Sequence, residues 1–167
     1  MLIMSINEFL LSKEFRNINL LYHSTTFSNL LQILEDNVLY GSDSYDYGIA
    51  TSRNKDYLFY ISDEGDIERG QGECQLILDR NKINNNYKIK AFDWEEFKLK
   101  DDDNYHQSED KILTDKITNI KKYIIGIQLN KNIQDNLMKL LNKENLFIKK
   151  NNIKIFGKNW EILSKQF

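Results

Sequence analysis

One stretch indicates the fold most clearly: Leu20-Leu21-Tyr22-His23-Ser24-Thr25-Thr26-Phe27. The apolar run from Ile18 to Tyr22 has the length of a strand. Beyond it, apolar residues recur at helical spacing, and Thr26 or Ser28 can cap the helix that they predict: Phe27, Leu30, Leu31, Leu34 and Val38. A strand thus delivers a histidine and several hydroxyls to the start of a helix. Backbone N–H groups and polar side chains can meet one ligand there.

Hydrophobic and turn patterns on both sides of this stretch predict further elements. The predicted helices cover residues 6–14 and 54–60, and another begins at Asn130. Predicted strands cover Ile49–Ser52, Cys74–Asp79, 87–91, Ile112-Leu113, 123–129 and 147–156, with an acidic loop over 93–110. Helices and strands in this irregular order, with no repeat or linker, predict a single α+β domain over residues 1–167.

Composition limits the function classes that remain open. The chain has 167 residues, 41% of them hydrophobic and 29% charged, which suits one globular domain with a real core. No apolar stretch approaches the roughly 20 residues that cross a bilayer, and no signal peptide is recognisable. We therefore expect a cytoplasmic protein that does not bind a membrane.

The few cysteines and histidines exclude other kinds of site. One cysteine, Cys74, allows no internal disulfide, and with only His23 and His106 a cysteine or histidine metal centre is not expected. Because Cys74 lies in a predicted strand, we expect a buried structural thiol. The acidic run at 101–103 is expected to be solvated, so we predict no metal site.

Charge is divided unevenly along the chain. Residues 1–110 carry a net charge of −10, and residues 111–167 carry +8. The second value fits a solvated lysine-rich helix and tail, which is the favoured interpretation, but a basic face for nucleic acid stays open.

The opening stretch resembles that of the ADP-ribosyltransferases. In the poly(ADP-ribose) polymerase and diphtheria-toxin branch, a His-Gly-Ser/Thr strand end precedes a helix of the type I-L-x-x-G-L. Here Tyr22-His23-Ser24-Thr25 precedes Leu30-Leu31-x-Ile33-Leu34 and Val38-Leu39. Ser24 and Asn37 stand at the family's two glycine positions.

Two further segments extend the resemblance to roughly residues 18–129. The first, Gly48-Ile49-Ala50-Thr51-Ser52-Arg53, is similar to a family strand that carries a tyrosine or a Ser-Thr-Ser pattern, and Ala50 occupies the tyrosine position. The second, Gln107-Ser108-Glu109, is similar to the Gln-x-Glu pair of the clostridial-toxin-like branch.

The resemblance implies a split β-sheet core flanked by short helices, with NAD as co-substrate in a cleft between two small sheets. It implies that Glu109 carries catalysis and that Gln107 positions the acceptor. The residues implied to bind NAD are Tyr22, His23, Ser24, Thr25, Thr51, Ser52, Arg53 and Tyr57, the last by stacking on nicotinamide. The acceptor of ADP-ribose would be a protein or a nucleic acid. Small size and composition also fit a phage or mobile-element protein that modifies a host factor.

Other functions stay open beside this one. The same fold without chemistry would act as an inhibitor through acidic segments at 63–68 and 93–103. An RNA 2′-phosphotransferase shares the opening histidine but normally needs more histidines and arginines. Arg80, next to Asp79, could bind a phosphate, although a local salt bridge between the two is favoured. No phosphate-binding glycine loop and no G-x-S-x-G elbow occurs in the sequence.

Overall fold

The computed structural model describes residues 20–41, 48–52, 73–91 and 109–163. In chain order, these ranges form strands β1 (Leu20–Thr25), β2 (Val38–Tyr40), β3 (Ile49–Ser52), β4 (Cys74–Asp79), β5 (Ile89–Ala91), β6 (Glu109–Ile112), β7 (Lys116–Thr118), β8 (Ile124–Leu129) and β9 (Lys154–Phe156). The α-helices are α1 (Phe27–Asp36), α2 (Arg80–Asn84) and α3 (Leu137–Lys150), and 3-10 helices cover Ile120–Tyr123 and Lys131–Asn136.

The strands form one large sheet and one small ribbon. The large sheet has seven strands in the order β5-β6-β3-β1-β4-β8-β9, and β2 pairs with β7 in the ribbon. Neighbouring strands are antiparallel except β8 and β9, which run parallel. The mostly antiparallel sheet with separate helices confirms the predicted α+β class.

Strand β1 lies in the middle of the large sheet. It pairs with β4 at six consecutive positions, from Leu20 opposite Asp79 to Thr25 opposite Cys74. All six residues of β4 are buried, as expected for a strand that is covered on both faces. The β1–β4 pair therefore forms the centre about which the rest of the domain is arranged.

Helix α1 begins where its sequence predicts. The Thr26 hydroxyl accepts a hydrogen bond from the Asn29 N–H at 3.1 Å, and the Phe27 N–H donates to a Glu73 carboxylate oxygen at 2.7 Å. These bonds satisfy N–H groups that have no partner inside the helix. The buried face consists of Phe27, Leu30, Leu31, Ile33 and Leu34. Burying one such leucine stabilises the fold by about 1.5–3 kcal/mol.

Core residues lie on both faces of the sheet. The larger cluster contains the buried side chains of α1 together with Leu140, Leu141 and Ile148 of α3. A smaller cluster on the other side of β1 contains Tyr22, Ile77, Phe156 and Trp160. Because side chains alternate along a strand, Tyr22 belongs to the smaller cluster whereas Leu21 belongs to the larger one.

Two predicted boundaries in the first two thirds of the chain are wrong. Strand β1 does not end before His23 but continues through Thr25, because these residues pair with β4. The predicted acidic loop ends earlier than expected, since Glu109 and Asp110 pair with Ser52 and Thr51 in the sheet. Neither ribbon strand was predicted: Val38, expected to continue the helix, begins the strand Val38–Tyr40, and Lys116–Thr118 is the second strand.

The prediction for the end of the chain is wrong in a different way. The expected strand over 147–156 is a helix up to Lys150 and a strand only from Lys154. Ile148 continues the buried helical face of Leu140 and Leu141, which explains the error. The sequence analysis also missed α2, in which Asp79 accepts a capping hydrogen bond from the Lys82 N–H at 3.1 Å. The predicted helices 6–14 and 54–60 lie outside the described residues.

Asn37 ends α1 in the left-handed conformation, with φ 56° and ψ 36°. Glycine is commonest at this position, and asparagine is the usual substitute. The Asn37 side-chain oxygen accepts from the Lys121 N–H at 2.9 Å, and its backbone carbonyl accepts from the Ile120 N–H at 3.2 Å. Asn37 thus attaches the end of α1 to the 3-10 helix Ile120–Tyr123.

Two substitutions at Asn37 separate the backbone contribution from that of the side chain. Both Asn37→Gly and Asn37→Ala remove the hydrogen bond to Lys121, but only alanine retains a Cβ that disfavours the left-handed backbone. We expect Asn37→Ala to have a free energy of unfolding about 1 kcal/mol below that of Asn37→Gly, measured by urea denaturation. Equal stability of the two variants would contradict the left-handed assignment.

Candidate functional site

Three adjacent strands carry the described parts of the three segments that resemble the transferase family, Tyr22–Thr25, Ile49–Ser52 and Glu109. In the sheet, β6 lies beside β3, and β3 lies beside β1. Ser52 is opposite Tyr22 on one side and opposite Glu109 on the other, so these positions form one row across three strands. Segments separated by more than 80 residues in sequence are thus brought together in space.

His23 projects from β1 in a half-buried position. Its Nδ1 lies 2.9 Å from the Ala50 carbonyl oxygen on β3. A carbonyl oxygen can only accept, so Nδ1 carries the hydrogen, and Nε2 of the neutral ring is an acceptor. Burial lowers the pKa of His23 below its usual value, although the hydrogen bond to Ala50 opposes the shift. The ring is therefore neutral at physiological pH.

A cavity of about 300 Å³ opens beside His23, between the large sheet and the β2–β7 ribbon. Its walls come from three elements: His23 and Thr25 from β1; Asn29, Gln32, Ile33 and Asp36 from α1; and Val38, Leu39 and Tyr40 from β2. Ile33 and Leu39 are buried and give it an apolar wall, whereas Tyr40 is 63% exposed.

The polar wall of the cavity was missed from the sequence. Asn29, Gln32 and Asp36 recur at intervals of three and four residues, which places them on one side of α1. This polar stripe runs beside the apolar face of the same helix. Its spacing is visible in the sequence, but only the position of the ribbon turns one side of α1 into the wall of a cavity.

Tyr22 and Ser24 are not among the residues that line the cavity. The Tyr22 ring is buried and meets Trp160 edge-to-face, with the ring centroids 6.1 Å apart. The Ser24 hydroxyl lies 3.5 Å from the Cys74 carbonyl oxygen. Of the four β1 residues implied to bind NAD, His23 and Thr25 therefore line the cavity.

Strand β3 lies between β6 and β1, the strand that lines the cavity. Thr51 and Ser52 are both buried, and the Thr51 hydroxyl donates to the Asp110 carbonyl oxygen at 2.7 Å. Glu109 occupies the first position of β6. The other three residues implied by the resemblance, Arg53, Tyr57 and Gln107, lie outside the described residues.

Arg80 forms its salt bridge with a different partner from the predicted one. Its Nε lies 2.9 Å from Oδ2 of Asp110, whose side chain is fully buried. Asp79, the predicted partner, instead caps α2. The Arg80–Asp110 ion pair joins α2 to β6, beside Glu109.

Cys74 is a buried free thiol, as predicted. Burial raises its pKa well above the usual value, and the nearby Glu73 carboxylate adds to the shift. Its Sγ lies 3.3 Å from the Thr25 carbonyl oxygen. Such a thiol is a poor nucleophile, because only the thiolate reacts readily.

The walls of the cavity favour a small neutral ligand over a phosphate group. An apolar wall with a few polar groups is typical of small-molecule sites, and about 300 Å³ is at the lower end of their usual range. Among the described lining residues none is cationic, and Asp36 is acidic. A neutral, partly apolar ligand fits these walls better than a diphosphate does.

Two other classes of site find no support in the described parts of the chain. No cluster of three or more histidine, cysteine, aspartate or glutamate side chains that could hold a metal occurs within those parts. None of the described helices is long and apolar enough to span a membrane. The acidic segments at 63–68 and 93–103, which the inhibitor hypothesis needs, lie outside the described residues, as does the run at 101–103.

The lowered pKa of His23 predicts how stability depends on pH. Between the folded pKa and the unfolded value of about 6.5, the unfolded chain binds more protons, so the free energy of unfolding falls as pH drops through this window. Above about pH 7.5 the contribution is constant. Replacing the histidine, as in His23→Asn, should remove this part of the pH dependence in urea unfolding. Parallel curves for the two proteins would contradict the assignment.

No protein-family model, no curated protein and no solved structure matches this chain. The interpretation of the site therefore rests on its residues, their geometry and the resemblance of the three segments.

Proposed function

We propose that the protein is an NAD-dependent mono-ADP-ribosyltransferase that modifies a macromolecular acceptor, with a transferase-like split-sheet fold. The observation that carries the proposal is the adjacency of β1, β3 and β6. Each strand holds the described part of one segment that resembles the family, Tyr22–Thr25 on β1, Ile49–Ser52 on β3 and Glu109 on β6. His23 of the first segment opens onto a cavity. A large sheet and a small ribbon on either side of that cavity fit the cleft that the resemblance implies.

The conformation of Asn37 supports the resemblance independently. The family has glycine at this position, and the backbone of Asn37 is left-handed. Asparagine adopts this conformation more readily than other residues with a side chain. Asn37 therefore differs from the family's glycine in its side chain but keeps the left-handed backbone that glycine would adopt there.

The cavity suits the adenosine half of NAD. Glu109, the proposed catalytic residue, lies two strands from β1 in the row of Tyr22 and Ser52. The positions of this row are on the opposite face of the sheet from His23. We therefore assign only the adenosine half of NAD to the cavity and assign the reacting ribose to the neighbourhood of β6. Asp36 can accept hydrogen bonds from the ribose hydroxyls, and His23 Nε2 can accept another. A carboxylate at this place also disfavours a 2′-phosphate, which predicts selectivity for NAD over its phosphorylated form.

Glu109 is proposed to stabilise the positive charge that develops on the reacting ribose. The bond between ribose C1′ and the nicotinamide nitrogen breaks, and the electron pair leaves with nicotinamide, which becomes neutral. A carboxylate next to the sugar cation lowers the barrier electrostatically. An acceptor nucleophile then bonds to C1′ and loses its proton, while Gln107 orients that acceptor.

Replacing Glu109 tests the assignment of catalysis. Glu109→Gln removes the charge but retains the size, so we expect transfer from adenylate-labelled NAD to acceptors in a lysate to fall at least about 100-fold. NAD affinity, measured by calorimetry, should change less than about threefold, because the residue acts on the transition state.

Asp115→Asn is the matched control, since it removes one exposed carboxylate close to the end of β6. Its transfer rate should equal that of the unchanged protein. Transfer that persists in Glu109→Gln, or the absence of any NAD binding in the unchanged protein, would refute the proposal.

A bulky side chain on α1 tests the location of NAD. Gln32→Trp puts an indole into a cavity of about 300 Å³, so we expect NAD affinity to fall at least about tenfold. Glu35→Trp is the control, because Glu35 is exposed on the same helix but does not line the cavity. Equal affinities of the two variants would place NAD elsewhere.

A further inference from the structure

The exposed face of α3 carries a strong positive charge. Four of its lysines are exposed: Lys139, Lys143, Lys149 and Lys150. The one acidic residue of this helix, Glu144, is buried and forms an ion pair with Lys121, with Nζ and Oε2 2.9 Å apart. The exposed lysines are therefore not neutralised by an acid of their own helix. We call these four residues the lysine face.

Other exposed side chains of α3 lie between the lysines. Asn142 and Asn145 are exposed amides, and Leu146 and Met138 are exposed by 80% and 57%. The main apolar residues of the helix, Leu140, Leu141 and Ile148, are buried in the core. Two isolated apolar side chains are too little to insert into a bilayer, which needs a wide apolar face.

We propose that the lysine face binds single-stranded nucleic acid. Lysines complement a phosphodiester backbone, amides donate to phosphates and bases, and exposed apolar groups contact unpaired bases. The helical backbone is broken at Glu144, with φ −118° and ψ 15°. Lys139 and Lys143 therefore precede the break, and Lys149 and Lys150 follow it.

A chain of contacts connects the buried side of α3, through Glu144, to residues beside the cavity. Glu144 of α3 pairs with Lys121, and the Lys121 N–H donates to the Asn37 side chain at 2.9 Å. Asn37 follows Asp36 and precedes Val38, which both line the cavity.

Direct binding tests the surface without NAD. The probes are fluorescently labelled 20-nucleotide single strands of RNA and of DNA, each of mixed sequence, titrated with the full chain at several salt concentrations. Binding of either probe, weakening as salt rises, is expected. Lys143→Glu/Lys150→Glu should lose at least about tenfold in affinity, and the slope of log affinity against log salt should fall by about 1.4 to 1.8.

Lys88→Glu/Lys90→Glu provides the matched control. Both of these lysines are exposed, at or beside the edge strand β5, and the double variant carries the same change in net charge. Its affinity should fall less than about threefold. The neutral pair Lys143→Gln/Lys150→Gln should show an intermediate loss, which guards against misfolding of the reversed-charge variant.

Three results would overturn the inference. They are no binding at low salt, equal losses in the two reversed-charge variants, and stronger binding to vesicles of anionic phospholipid than to either nucleic acid. Because none of these measurements uses NAD, such a failure leaves the transferase proposal standing. Conversely, loss of NAD binding or transfer would not affect the binding result.

Discussion

The pairing of β1 with β4 at six consecutive positions is the constraint on which the rest of the structure depends. It fixes β1 at the centre of the large sheet and leaves its other edge for β3. Because β3 lies there, the Ala50 carbonyl can hold the His23 ring and select its tautomer. Because β1 ends at Thr25, α1 begins at once and its polar stripe faces the same cavity. One strand pairing thus determines both the orientation of the histidine and the wall opposite it.

Asn37 provides the second connection, between the cavity and the basic end of the chain. Its left-handed backbone ends α1, and its two oxygens accept hydrogen bonds from the 3-10 helix Ile120–Tyr123. That helix in turn holds α3 through Lys121 and Glu144. The hydrogen bonds of Asn37 and the Lys121–Glu144 ion pair thus connect the end of α1, where Asp36 lines the cavity, to the buried side of α3.

The sequence predicts the elements whose signals are local. Strands Ile49–Ser52 and Cys74–Asp79 have the predicted bounds, and α1 begins at the predicted cap because Thr26 and the leucine spacing act within one helical turn. The sequence does not predict contacts that depend on distant pairing. Arg80 meets Asp110, thirty residues away, instead of its neighbour. From the sequence alone, Glu109 belongs to an acidic loop, because its pairing with β3 is not a local signal. The cavity wall likewise depends on the position of the ribbon, which the sequence does not reveal.

Three residues depart from the family pattern at positions where the conformation or a carbonyl group of the backbone matters more than the side chain. Ala50 has no tyrosine ring, yet its contribution to the site is the carbonyl oxygen that holds His23, and any residue supplies that group. Asn37 keeps the backbone conformation for which glycine is favoured. Ser24 lies in extended strand, where a side chain costs nothing in backbone strain, and its hydroxyl finds the Cys74 carbonyl. Side chains can change at all three positions without disturbing the geometry of β1, β3 and α1.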